Sequence, residues 1–292
     1  MSVRKTFLGL SLGLLVGLCC LSSEVQAEVK IIPDLEYANV DGQSLQLDLH
    51  MPQGVKNPKL VVWVHGGGWK QGSRKSTKIP WVPEEGYAMA SISYRFTDKA
   101  IFPAQIHDCK GAVRWLRAHA DEYGYQADKI LIAGSSAGGM LVALMGTSGD
   151  VPELEGDVGG NLDQSSRVQA VIDFFGATDF ELRLRTQPEH VNPSDSGVYK
   201  LLGGTIGDKL ELARQASAVT HISKDDPPLL VLHGTEDKTV PFNQSERIVE
   251  VYQEAGLPVE FIPLEGAGHG GDAFASPEVQ EQITKFIRKN LP

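Results

Sequence analysis

Lys129-Ile-Leu-Ile-Ala-Gly-Ser-Ser-Ala-Gly-Gly-Met140 decides how the rest of the chain is read. A short apolar run, Ile130 to Ala133, enters Gly134-Ser-Ser-Ala-Gly138, and an apolar helix-forming segment follows from Met140 to Met145. A serine hydroxyl is a weak nucleophile unless a base takes its proton and donors wait for the developing oxyanion. A sharp strand-to-helix turn serves both needs. It lifts Ser136 Oγ to the strand tip and leaves the Ala137 backbone N–H free at the first turn of the helix. Glycines at 134 and 138 fit because such a turn crowds neighbouring backbone and leaves no room for Cβ atoms. The pentapeptide by itself also suits a plain strand–helix connector, so its neighbours must carry the argument.

Upstream, Val61-Val-Trp-Val-His-Gly-Gly-Gly-Trp69 sets three glycines after a strand. Open α/β sheets bind ligands at the carboxyl ends of strands. Gly67 or Gly68, together with Ala137, can offer backbone N–H groups to an oxyanion. No GxxxxGK[ST] signature supports a phosphate loop there. His65 precedes the serine and reads as a loop brace rather than a base. Downstream, Glu265-Gly-Ala-Gly-His-Gly-Gly271 places His269 in a glycine-flanked loop just after the expected strand Val259 to Leu264. Of the eight histidines, His269 is the candidate base. His50 and His119 fall on ordinary element faces, His107 and His233 beside core patterns, and His190 and His221 in a polar segment. The base needs an acid to hold its tautomer. Asp237 in Leu232-His-Gly-Thr-Glu-Asp237 is the first choice, Glu236 the second, and Asp179 a distant third.

Around these motifs, strands and helices alternate. Leu35–Val40 and Ser44–His50 flank Asp41-Gly42, a hairpin turn signal, and Leu45, Leu47 and Leu49 alternate with polar residues. Lys59–Val64, Tyr87–Tyr94 and Val168–Phe174 read as buried strands, and Ile130–Ala133, Leu229–Leu232 and Val259–Leu264 as further strands. Helices are expected after Pro103, over Ala137–Met145, Asn243–Ala255 and Pro277–Lys289. The pattern predicts one α/β domain: a mostly parallel sheet with helices on both faces and an N-terminal antiparallel hairpin. Residues 147–166 are acidic and glycine-rich. Leu162 stands where a calcium loop would need its glycine, so a solvated surface loop is expected. Residues 180–220 are polar and weakly helical, a candidate partial lid.

Arg4 and Lys5 precede an apolar stretch from Phe7 to Leu21, with Val25-Gln-Ala27 at the cleavage positions. Residues 1–27 therefore read as a signal peptide, too short in its apolar part to span a membrane. Residues 28–292 form the expected domain, secreted or periplasmic. The leader holds Cys19 and Cys20, leaving Cys109 as a packed core residue without a disulfide partner. The whole chain has 27 Lys and Arg against 37 Asp and Glu, a net charge of −10. With no basic block, neither nucleic acid nor a membrane surface is an expected partner. No metal or cofactor is expected, because no HExxH or Cys/His cluster exists to hold one.

Ser136, Asp237 and His269 stand in the chain order of the α/β-hydrolase triad. From about Tyr37 onward the sequence resembles the His-Gly-Gly-Gly esterases related to hormone-sensitive lipase. Within them it is similar to bacterial acetylxylan and feruloyl esterases. The marks are Tyr37-Ala-Asn-Val-Asp-Gly42, His65 to Trp69, Ser93-Tyr-Arg95, Gly134 to Gly139, Gly146-Thr-Ser-Gly-Asp150, Phe174-Phe-Gly-Ala-Thr-Asp179, His233 to Pro241 and Gly266-Ala-Gly-His269. Two features depart from many hormone-sensitive-lipase relatives. The acid motif is His-Gly-Thr-Glu-Asp rather than Asp-Pro-Leu-x-Asp, and residues 180–220 match no family motif. The resemblance implies a serine ester hydrolase working through an acyl-enzyme, with acetyl or feruloyl groups on plant polysaccharides as candidate substrates. Trp69 is a candidate for substrate stacking, and Trp81 for stacking or packing. An amidase or peptidase with the same residues is the enzymatic rival, and a non-catalytic binding protein the remoter one.

Overall fold

The computed structural model describes residues 1–3 and 28–292. The expected signal peptide, apart from its first three residues, lies outside the described residues. One sheet holds β1 (Val29–Val40), β2 (Gln43–Pro52), β3 (Lys59–Val64), β4 (Ala88–Ile92), β5 (Gln126–Ser135), β6 (Ala170–Phe174), β7 (Leu229–Gly234) and β8 (Val259–Leu264). Their spatial order is β1-β2-β4-β3-β5-β6-β7-β8. The pairs β1/β2 and β2/β4 are antiparallel and all others parallel. The helices are α1 (Ala104–Ala118), α2 (Ala120–Tyr123), α3 (Ala137–Thr147), α4 (Phe180–Thr186), α5 (Pro188–Val191), α6 (Gly197–Leu202), α7 (Leu210–Gln215), α8 (Asn243–Glu254) and α9 (Pro277–Asn290). None among the described residues is long and apolar enough to cross a membrane.

The continuous apolar strands are explained by burial on both faces. Leu60, Val62 and Val64 of β3 join Ile130 and Ile132 of β5 in one core layer, beneath α1, α3 and α8. Val61 and Trp63 point the other way and join Leu131, Ala133 and the α9 residues Val279, Ile283 and Phe286. The period of two along each strand thus divides one sheet between two cores.

The structure changes four expectations. β1 starts at Val29, well before Leu35, because register shifts at Ile32/Leu35 and Glu36/Ala38 let its first half, which buries no residue, keep pairing with β2. β5 starts at Gln126 rather than Ile130, where a further shift pairs Lys59 with Gln126. Residues 147–166 are not merely solvated. Glu155 turns inward, accepting from Lys110 Nζ at 3.1 Å and Ser166 Oγ at 2.7 Å and pairing with Arg114. Residues 180–220 carry four short helices on the core rather than weak helical patches: Leu201, Leu202 and Ile206 are wholly buried, and the Leu201 carbonyl accepts from Phe102 N at 2.8 Å.

Candidate active site

Ser136 sits between β5 and α3 at φ 56° and ψ −115°. The turn is tight because α3 starts directly against the end of β3. A Cβ on Gly138 would stand 2.2 Å from the Val64 carbonyl oxygen, so only glycine fits. The Ser136 N–H donates to Phe174 O at 2.8 Å and its carbonyl accepts from Met140 N at 2.9 Å, which fixes the residue to β6 and to the helix. The side chain is left at the carboxyl edge of the sheet.

His269 reaches that edge from the loop after β8. The loop is tied to its neighbour after β7: Glu236 N donates to Ala267 O at 2.9 Å, and Gly266 N to Thr235 Oγ1 at 2.9 Å. Across this joint, His269 Nε2 lies 2.8 Å from Ser136 Oγ and Nδ1 lies 2.6 Å from Asp237 Oδ2. Phe175 stands edge-on to the imidazole with ring centres 4.7 Å apart. Asp237 is covered by its own turn, whose Thr239 and Val240 N–H groups donate to Oδ1 at 2.8 and 3.0 Å. Burial would raise this carboxyl, but hydrogen bonds from His233 and His269, the charge of His269 and the Val240 N–H outweigh it. They hold Asp237 far below the usual carboxylate range. An ionised Asp237 makes His269 Nδ1 the donor, so Nε2 faces Ser136 as an acceptor of its hydroxyl proton. The alternatives do not reach: Glu236 is exposed, and Asp179 caps α4 by accepting from Leu182 N at 2.8 Å.

The turn also holds a residue that the sequence reading left in the core. His233, fully buried, has Nε2 3.2 Å from Asp237 Oδ2 and 3.0 Å from Val240 O, while Nδ1 accepts from Ser245 Oγ at 2.6 Å. Its signal was the i, i+4 spacing to Asp237 across a turn. Its position at the end of an apolar strand hid that signal.

Gly67 (φ 119°) and Gly68 (φ 60°) form the loop facing Ser136. A Cβ at Gly67 would fall 1.9 Å from Gln71 O, so that glycine is required by the loop's own packing. Gly68 borders the spaces on both sides of Ser136. His65 braces this loop, its Nδ1 donating to Gly66 O at 2.7 Å and its ring stacked 4.6 Å from Tyr94. Trp69 is buried beside Phe180, and Cys109 is buried in the core. Trp81 packs, partly buried, against the second core layer.

Two cavities meet at Ser136. One, of about 440 Å³, is lined by Trp69, Ala137, Ala177, Arg183, Val198 and Val240 and reaches into the segment expected to be a lid. The other, of about 630 Å³, holds His269, Gln71, Ser73, Ser76, Thr77 and Lys78. A further depression at the amino end of β5, around Arg117 and Asp121, lies at the opposite end of that strand from Ser136 and contains none of these groups. No cluster of metal-ligating side chains occurs among the described residues.

The BD-FAE family model matches residues 47–252, most of the chain, taking in Ser136 and Asp237 and ending before His269. The chain belongs to the BD-FAE family. Among proteins similar to this BD-FAE member, esterase LipC of Mycobacterium tuberculosis is 31% identical over 240 residues. That match covers 81% of this chain and 59% of LipC, so the chain spans about three-fifths of that relative's length. A truncated carbohydrate esterase from gut microbiota superposes with a TM-score of 0.82 at 28% identity, covering 91% of this chain and 97% of that one. A bifunctional GH43-CE protein of Bacteroides eggerthii gives 0.83 at 31% identity, covering 90% of this chain and 35% of that one. The fold is that of the α/β hydrolases, with the mostly parallel sheet and antiparallel N-terminal pair that the sequence pattern implied.

Proposed function

We propose that the protein is a serine carboxylic-ester hydrolase acting on esters attached to carbohydrate, acetyl or feruloyl groups among them. The observation that carries the reading is the continuous hydrogen-bonded line from Ser136 Oγ through His269 to Asp237. In the reaction, Ser136 Oγ attacks the ester carbonyl carbon as His269 Nε2 takes its proton. Asp237 holds the imidazolium in place. The N–H groups of Ala137 and Gly68, with Gly67 beside them, face the charge that grows on the carbonyl oxygen. His269 then returns the proton to the departing alkoxide, and water repeats the sequence on the acyl-enzyme.

Because His269 protonates the leaving oxygen, the alcohol belongs in the cavity that His269 lines, and the acyl chain in the one beside Ala137. The alcohol side is rich in hydroxyl, amide and ammonium groups, namely Gln71, Ser73, Ser76, Thr77 and Lys78. Those groups complement the hydroxyls of a sugar better than a hydrocarbon. The gut carbohydrate esterase and the bifunctional protein point the same way. The reading includes export, for which the sequence signal is the leader at residues 1–27.

The test is turnover of acetylated xylan, methyl ferulate and p-nitrophenyl acetate by the wild type and by Ser136→Ala. The substitution is expected to lower kcat by at least about 10⁴-fold on every ester cleaved. Equal turnover by the two proteins would refute the mechanism. Turnover of p-nitrophenyl acetate alone would leave the hydrolase and remove the carbohydrate.

A further inference from the structure

The acyl-side cavity is lined by a cation that forms no ion pair among the described residues. Arg183 projects from α4 and is 5% exposed. Its Nη2 donates to Thr239 O at 2.9 Å and to Gln187 Oε1 at 3.3 Å. Nε is buried without any acceptor, and Nη1 has no hydrogen bond among the described residues. No carboxylate pairs with the guanidinium. Asp237 is the charge that favours its cationic form, yet both Asp237 oxygens are already engaged by His269, His233 and the turn's own N–H groups. Trp69 lines the same cavity, and its indole N–H is likewise buried and unpartnered. Lys238 and His190 complete a lining with no Asp or Glu, His190 itself pairing outward with Glu189 at 2.9 Å.

Bracing the turn after β7 requires only Nη2. It leaves unexplained why a charged side chain is buried with Nε and Nη1 idle, an arrangement that is costly unless something answers it. A neutral Gln would brace a carbonyl with no charge to bury. A carboxylate in the cavity can accept from the unengaged Nη1 N–H groups and neutralise the guanidinium. The cavity of about 440 Å³ is also far larger than a two-carbon acyl group fills. We propose that Arg183 selects acyl groups that end in a carboxylate, so that half-esters of dicarboxylic acids are substrates. The inference rests on the ester-hydrolase reading and on the acyl chain occupying the Arg183 side.

The experiment compares monoethyl succinate, glutarate and adipate with ethyl 4-methylpentanoate and its longer branched homologues, which replace the carboxylate by an isopropyl group of the same shape. Rates are followed by pH-stat on wild type, Arg183→Met and Arg183→Lys. For the best-fitting length, the wild type is expected to favour the half-ester over its neutral partner by about 30-fold, the worth of a charge-assisted hydrogen bond. In Arg183→Met that ratio should fall below one, and in Arg183→Lys it should recover in part. Free dicarboxylate of the same length should inhibit wild-type turnover of ethyl acetate competitively, and more weakly in Arg183→Lys, a readout that stands even if the Met variant does not fold. A wild-type ratio near one at every length, or a ratio unchanged by Arg183→Met, makes Arg183 a brace only and overturns the proposal. Failure of the wild type on ethyl acetate as well would remove the hydrolase reading beneath it.

Discussion

At Ser136 the backbone is held at φ 56° and ψ −115°, a region that costs a residue with a Cβ about 1–3 kcal/mol. The surroundings maintain it from three sides: Phe174 O takes its N–H, Met140 N takes its carbonyl, and Gly138 is pressed against Val64 O. Strain of this kind exchanges stability for an exposed nucleophile. Glycine relieves it, whereas alanine removes the hydroxyl and keeps the strain. Ser136→Gly is therefore expected to be about 1 kcal/mol more stable than Ser136→Ala in urea unfolding, the reverse of the usual order in which glycine is the weaker residue. Should the alanine protein be the more stable, the turn stores no strain. Asp237 illustrates the opposite economy, since every acceptor site on its carboxylate meets a donor and the charge is held at no visible strain.

Between elements, the join of α1 to the loop before β6 is made by charge. Lys110 and Arg114 are each 1% exposed in their side chains and share Glu155, which is 36% exposed. Burial would raise the Glu155 carboxyl, but the Ser166 hydroxyl, Lys110 and Arg114 together hold it below its ordinary value. A carboxyl depressed by folding contributes stability above its unfolded pKa of about 4.3 and loses it as pH falls through the folded value. Glu155→Gln leaves two buried cations unanswered. At pH 7 it should cost about 2 kcal/mol, less than a fully buried pair because water reaches Glu155. The gap between the two proteins, measured from urea midpoints, should narrow as pH is lowered below about 4. A gap that persists unchanged at pH 3 would show packing rather than charge at work. This joint also shows what the sequence could not disclose. The strand Lys59–Val64 was legible because burial on both faces writes itself as an unbroken apolar run. The edge strand Val259–Leu264, with no buried residue, was legible from its place in the strand–helix alternation. Ser136, Asp237 and His269 were legible because each follows its own strand in a loop with distinctive glycines or acids. Glu155 was not, since an acidic loop signals water and its partners stand some forty residues earlier in a helix. Arg183 was hidden for the same reason: a charged residue in a polar segment reads as solvent-facing until the fold covers it.

Over the whole molecule, the sheet sets the nucleophile at the meeting point of two spaces with different chemistry. Thr239 borders both, so the turn that carries Asp237 is also the wall between them. The cavity proposed for the acyl chain is bordered by the 180–220 segment, with Val198 on α6 and Arg183 on α4 sharing its lining with Ala137. The alcohol side opens along the loop after β3. Val198 is 3% exposed and contributes nothing to the Ser136–His269–Asp237 line, so its size tests which space does what. Val198→Trp fills much of the acyl cavity without touching the loop at Ser73 and Ser76. For p-nitrophenyl esters of increasing acyl length, kcat/KM should fall by about tenfold or more from butyrate upward, the worth of a buried side chain's burial lost to a clash, while acetate declines far less. For acetates of increasingly bulky alcohols, the variant should track the wild type throughout. The reverse outcome, with long acyl chains tolerated and bulky alcohols rejected, would exchange the two cavities. It would also place Arg183 on the leaving-group side, where an anionic alcohol rather than an anionic acid would be its partner.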